Sequence, residues 1–136
     1  MKVANKRASG VVVLHGKSVL LAKRCNNCHL TGKPIPFGGY WSIFAGTIDK
    51  GETPKECAGR ELYEESKIFV DFKDIKFVKS FKDKYSTFYF HMYNCDEIVI
   101  PELSKEHTEF GWFKIKELEN LNEPIDPKIV GCIKSL

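Results

Sequence analysis

The sequence predicts one α/β domain with strands and helices interleaved along the chain. Three observations lead there. Two runs dense in β-branched and leucine residues, Gly10–Leu14 and Ser18–Ala22, flank the short turn His15-Gly16-Lys17, as in a hairpin. A stretch with helical capping and helical charge spacing follows at residues 53 to 66. Alternating apolar stretches and a second capped helix come after it. With 136 residues, the chain is long enough to bury a core, and residues 1–136 are read as a single domain.

Bulk composition narrows the function classes. Apolar residues make up 43% and charged residues 29%, which is ordinary for a globular protein. The net charge of +3 is too small to argue for nucleic acid, so no sequence-specific nucleic-acid partner is expected. It is compatible with an anionic substrate. The apolar run Val11–Leu14 behind the basic Met1–Arg7 is too short for a signal peptide or a membrane span, so no membrane partner is expected. Five cysteines are an odd number in a chain that needs no staples, which points to free thiols in the cytoplasm.

The first two strands are rich enough in Val and Leu to be buried on both faces. Residues 25 to 40 form a loop. Its Cys25-Asn26-Asn27-Cys28-His29 invites a zinc test, but a closed zinc site needs four ligands and no second Cys or His pair exists, so free thiols are expected. The second half of the loop is stiffened by proline and carries aromatics. Phe37, Tyr40 and Trp41 are candidates to stack on a nucleobase. Trp41 leans toward the core, because it heads the strand Trp41–Phe44.

Asp49 to Glu52 is turn chemistry. Thr53 is then an N-cap, Pro54 suits the first helical position, and Glu56 completes a capping box. The helix runs to about Ser66 and carries Glu61, Glu64 and Glu65 at i, i+3 and i+4, on one face. Three like charges held together need compensation, and hard divalent cations with oxygen ligands supply it. Gly59, inside this helix, costs about 1 kcal/mol against alanine, and its missing side chain is read as allowing close packing on the sheet.

Beyond the helix, Ile75–Phe81 and Thr87–Cys95 read as strands joined by a turn at Asp83–Ser86. His91, alone in an aromatic strand, reads as structural. An acidic loop at Pro101–Glu109 precedes a short strand, Phe110–Phe113. Ile115–Leu121 reads as a helix, and Asp126 caps a last helix reaching about Lys134.

The residues 46 to 68 resemble the signature of the Nudix hydrolase superfamily. Gly46, Glu52, Arg60, Glu61, Leu62, Glu64, Glu65 and Ile68 all fall in register, a match with chance odds on the order of one in a million. One position departs: Lys67 stands where the family has glycine. If that residue takes a positive φ, lysine costs about 1 kcal/mol. The resemblance implies a Nudix-type α/β/α sandwich, a mixed sheet flanked by helices with the motif as a loop-helix-loop. It implies metal-dependent hydrolysis of a pyrophosphate bond in a nucleoside diphosphate linked to another moiety, with Mg²⁺ or Mn²⁺ as cofactor.

The resemblance also carries roles over, position by position. Glu61, Glu64 and Glu65 match metal-binding glutamates, and Gly46 or the carbonyl of Ala45 matches a backbone ligand. Glu52 matches the loop acid that pairs with the motif arginine, Arg60. Glu61 and Glu64 are candidates for the general base, and so is Glu106 or Glu109 from the later acidic loop. Tyr85 stands where diadenosine-polyphosphate hydrolases carry a tyrosine, whereas Phe44–Asp49 is closer to ADP-ribose-cleaving relatives. Nucleoside triphosphates, dinucleotides, ADP-ribose, nucleotide sugars and capped RNA all fit as the nucleotide-type substrate. The alternative is a non-catalytic regulatory module that binds a nucleotide or metabolite. Either is compatible with a homodimer.

Overall fold

Strand β1 (Lys6–His15) is the axis of the architecture in the computed structural model, which describes residues 6–28, 30–35 and 37–136. One edge of β1 pairs in parallel with β6 (Ser86–Asn94) over its whole length, from Lys6↔Ser86 to Leu14↔Asn94. The other edge is shared. Ala8–Val11 pair with β4 (Phe44–Thr47), and Val13–His15 pair with β2 (Ser18–Arg24). Beyond β2 lies β7 (His107–Lys114), and beyond β6 lies β5 (Lys76–Lys82). Among the described residues these strands and the short β3 (Trp41–Ser42) make one mixed sheet of seven.

Residue alternation along β1 and β2 decides what covers each face. Val11, Val13, Leu20 and Ala22 face α1 (Pro54–Ser66), meeting Ala58 and Leu62 in one core. Val12, Leu14, Val19 and Leu21 face the other way, onto Ile129, Cys132 and Ile133 of α2 (Pro127–Lys134). Helices thus flank the sheet on both sides, as an α/β/α sandwich requires. Fully burying a side chain such as Leu62 contributes about 1.5–3 kcal/mol, so the α1 face is held by packing as well as by its caps. No helix among the described residues is long and apolar enough to cross a membrane.

Backbone proximity matters at one place in this sheet. Gly10 lies opposite Ala45, and a Cβ on Gly10 would stand 2.6 Å from the Ala45 Cβ and 2.9 Å from the Phe44 carbonyl oxygen. The β1–β4 pairing at its observed distance therefore needs glycine there.

Several expected elements come out differently. The strand expected over Trp41–Phe44 is two strands broken at Ile43. Trp41 and Ser42 pair with β2, while Phe44 has crossed to β1. Pairing of Trp41 with residues 124–126, through its N–H to Pro124 and its carbonyl to the Asp126 N–H, holds the first half away. Strand β7 begins three residues early, at His107, because β2 offers it partners out to Arg24. The helix at Ile115 is a 3₁₀ helix, Ile115–Asn120, whose capping residue Lys114 makes no side-chain cap. Gly59 faces Ile75 and Val70 rather than a strand of the central sheet, and a Cβ there would meet Ile75 at an ordinary 3.4 Å.

Candidate active site

The helix α1 starts where its local chemistry dictates. The Thr53 hydroxyl accepts the Glu56 N–H at 3.1 Å, and the Glu56 carboxylate accepts the Thr53 N–H at 3.0 Å. It ends at Lys67, whose φ of 62° is left-handed and whose N–H reaches the Tyr63 carbonyl. Between these caps, Leu62 and Ala58 lock one face on the sheet. That fixes the rotation of the helix, and with it the positions of Glu61, Glu64 and Glu65.

Glu65 is the innermost acid, only 4% exposed. Its Oε1 accepts the Ala45 N–H at 2.9 Å, which ties the helix to β4. Burial, then the neighbouring Glu106 and Glu61 charges, push its carboxyl up to about 10. Burial also raises Glu61, despite the opposing pull of Arg60. The Glu61 carboxylate lies against Gly46, where any Cβ would overlap it. Glycine at 46 is thus the space into which an acid projects.

Glu106 reaches this group because its loop is fastened from several directions. Glu102 N–H donates to the Ser66 carbonyl at 2.8 Å and Ser104 N–H to the Glu65 carbonyl at 3.2 Å, using orphan carbonyls at the end of α1. Cys25 N–H donates to the Glu106 carbonyl at 2.9 Å. Trp112 Nε1 donates to the Val99 carbonyl at 2.9 Å, pinning the start of the same connection. The result is a cavity of 260 Å³ lined by Glu61, Glu64, Glu65, Ser104, Lys105 and Glu106. Glu109 is elsewhere, 3.4 Å from Lys23 on the β2–β7 surface.

Arg60 spans the mouth of the site. Its Nε and Nη2 take the two oxygens of Glu52, and its Nη1 donates to Glu61 at 2.9 Å and Glu64 at 3.1 Å. The guanidinium holds the Glu52 carboxyl below its ordinary range. With Glu61 and Glu64 turned onto Arg60, no three His, Cys, Asp or Glu side chains among the described residues are gathered as ligands of one ion. The donor set nevertheless fits a hard divalent cation. It is all oxygen, it is rich in mutually repelling carboxyls, and its buried member stays charged only against a compensating positive charge.

The aromatic candidates separate. Trp41 is buried and packs edge-on against Phe113, 5.2 Å between ring centroids, so it belongs to the core. Phe37 and Tyr40 pack edge-on against each other at 5.3 Å in the long loop, with Phe37 exposed. Tyr85 is exposed in the β5–β6 turn, its carbonyl accepting the Lys6 N–H. None of the three lines the carboxyl cavity. His91 is buried, with Nδ1 3.1 Å from the Gly10 carbonyl oxygen, in keeping with a structural role. Cys25 and Cys28 carry free thiols, and His29 lies outside the described residues.

His107 went unnoticed in the sequence. It is buried, its Nδ1 is 3.8 Å from Glu65 Oε2, and its ring packs edge-on against Phe44. Burial pulls its pKa down to about 4, so the ring is neutral near pH 7. A lone histidine beside a glutamate carries no spacing signal that would have singled it out.

A NUDIX domain model matches residues 4–131, nearly the whole chain. The chain belongs to the Nudix family. Over 118 residues this Nudix chain is 30% identical to the NAD-capped RNA hydrolase NudC of Citrobacter koseri, covering 84% of the chain and 41% of that protein. The chain therefore spans about two-fifths of the length of that curated relative. Its fold matches MutT from Aliivibrio salmonicida and Vibrio cholerae, with TM-score 0.74 and 20% identity, over 97% of this chain and 99% of that one. It matches the NUDIX domain of Shewanella oneidensis NrtR, solved with ADP ribose, with TM-score 0.74 and 16% identity, over 99% and 89%.

Proposed function

We propose that this chain hydrolyses a P–O–P bond in a nucleoside diphosphate linked to another group, with Mg²⁺ or Mn²⁺ bound by Glu61, Glu64, Glu65 and Glu106 and a carbonyl of Ala45 or Gly46. The observation that carries the reading is the convergence of four acids on one cavity, from α1 and from the loop before β7. When bound, the cation supplies Lewis-acid polarisation of phosphate oxygens and lowers the pKa of a water.

The chain's own residues do the rest. Arg60 and Glu52 brace the motif loop over the helix. The Ala45 N–H and the walls around Glu65 orient that carboxyl toward the cavity. Glu64, more than half exposed at the mouth, is placed to take the proton that a water loses as its oxygen bonds to phosphorus and the bridging P–O bond breaks. Lys105 lines the same cavity and adds a positive charge for the phosphate chain.

The NudC relative is named for capped RNA and the NrtR domain was solved with ADP ribose. Both therefore join nucleoside triphosphates, dinucleotides and nucleotide sugars in the test panel. The experiment is product release from that panel with Mg²⁺ and with Mn²⁺, beside Glu64→Gln. Cleavage of one substrate class, abolished in the folded variant, is the expected result. Silence across the panel from folded, metal-binding protein would instead favour the non-catalytic module.

A further inference from the structure

We infer that His107 is a positioning residue for Glu65: its Nδ1–H is the second anchor of that carboxylate, engaging Oε2 when a divalent cation occupies the carboxyl cavity. The inference rests on the metal-binding reading of the carboxyl cavity and adds a residue that the Nudix motif does not contain.

The starting observation is an unmade hydrogen bond. Among the described residues, His107 Nδ1 is the buried side-chain nitrogen or oxygen with no partner. Such groups are costly and rare, and each calls for a reason. Here the reason lies 3.8 Å away, at Glu65 Oε2. Glu65 Oε1 already has its donor, the Ala45 N–H, so Oε2 is the oxygen whose direction is not fixed.

Glu65 and Glu106 line the same carboxyl cavity. A cation held in that cavity would fix the orientation of the Glu65 carboxylate, and Oε2, the oxygen without a backbone donor, is the one turned toward His107. The neutral ring then offers a donor from the protein side. An approach of about 0.8 Å brings Nδ1 to hydrogen-bond distance. The ring has room to make it, since His107 lines a cavity of 100 Å³ together with Glu65, Glu106, Arg24 and Ser42. Ligand orientation by such an outer contact generally changes metal affinity by about 10–100-fold.

The test measures Mn²⁺ binding by calorimetry and by the paramagnetic resonance of free Mn²⁺, without substrate. Wild type, His107→Leu and His107→Gln are compared. The expected result is binding weakened about 10-fold or more in His107→Leu, with metal-free thermal stability kept or raised because the unpaired nitrogen is gone. His107→Gln, which retains a donor, should recover most of the affinity. Equal affinity in His107→Leu would overturn the inference, as would a glutamine variant no better than leucine. Should the leucine variant fail to fold, ¹⁵N spectra of the wild type with Mg²⁺ decide the matter. A His107 ring protonated at Nδ1, whose signal moves on Mg²⁺ addition, supports the role; a ring with bare Nδ1 sinks it. Wild-type protein that binds no Mn²⁺ would instead remove the metal reading itself, before any variant is made.

Discussion

Arg60 grips Glu52 with two parallel bonds, Nε to Oε2 at 2.7 Å and Nη2 to Oε1 at 3.0 Å, across eight residues of sequence. The same Glu52 oxygen accepts the Asp49 N–H at 3.0 Å, so the fork ties the whole turn 49–52 to the helix. Lysine offers a point charge in place of a fork. Arg60→Lys is therefore expected to keep the fold and lower turnover, with KM less affected than kcat. Arg60→Ala leaves the largely buried Glu52 unpaired and should cost about 1.5–3 kcal/mol in urea unfolding. An Arg60→Lys enzyme with unchanged kcat would show that the loop needs no such clamp.

Glu106 and Glu109 separate cleanly in a pair of glutamine variants. Glu106 lines the carboxyl cavity, while Glu109 pairs with Lys23 on the surface. Glu106→Gln should lose about 10²-fold or more of kcat, and Glu109→Gln should stay within about 2-fold, since exposed ion pairs contribute little. Steady-state kinetics on any cleaved substrate reads this directly.

Removing metal should reveal Glu65 in the pH dependence of stability. Its carboxyl titrates ordinarily at 4.5 but is pushed up to about 10 in the fold. Between those values the folded state holds a proton the unfolded chain has lost, so stability falls as pH rises. His107 acts in the opposite sense, since its folded value of about 4 lies below 6.5 and its contribution grows with pH only up to that point. From about pH 7 to 8.5 the Glu65 slope lies above the His107 range and below the range where Cys57, pushed up to about 12, would add to it, with only the exposed Cys28, lowered by its hydrogen bond with Thr31, opposing it. In EDTA, Tm should fall across this window. Saturating Mn²⁺ should flatten the slope, and so should Glu65→Gln in the metal-free protein.

Lys67 takes a conformation that favours glycine. Lys67→Gly removes a left-handed strain of about 1 kcal/mol and loses the contact of Lys67 Nζ over the Tyr63 ring, 5.2 Å from its centroid, worth about 0.5 kcal/mol when exposed. The net expectation is a small rise in Tm with turnover unchanged. A fall in Tm would mean that the ring contact outweighs the backbone.

How much of this was legible follows from how local each feature is. The capping box at Thr53 and Glu56 and the helix end near Ser66 depend on neighbours in sequence, and they could be read; the left-handed Lys67 entered only as a condition, from the family's glycine at that position. The break at Ile43 depends on where residues 124–126 run, which no local pattern encodes. The choice between Glu106 and Glu109 depends on backbone bonds to the end of α1 and to Cys25, so composition alone left both open. Its place in a strand leaned Trp41 toward the core, yet without the Phe113 contact it stayed among the stacking candidates. His107 could not be found, because what marks it is an absent hydrogen bond.

The close approach of Gly10 to Ala45 has an evolutionary consequence. Ala45 and Gly46 back two acids of the carboxyl site, through the Ala45 N–H on Glu65 and the approach of Gly46 to the Glu61 carboxylate, and their position is held by a strand pairing that tolerates no side chain at residue 10. A mutational screen for loss of activity would thus score Gly10 alongside the glutamates, although it touches none of them. The interior of the sheet and the chemistry of the cleft are in this sense under a single selection, and drift at one would be policed by the other.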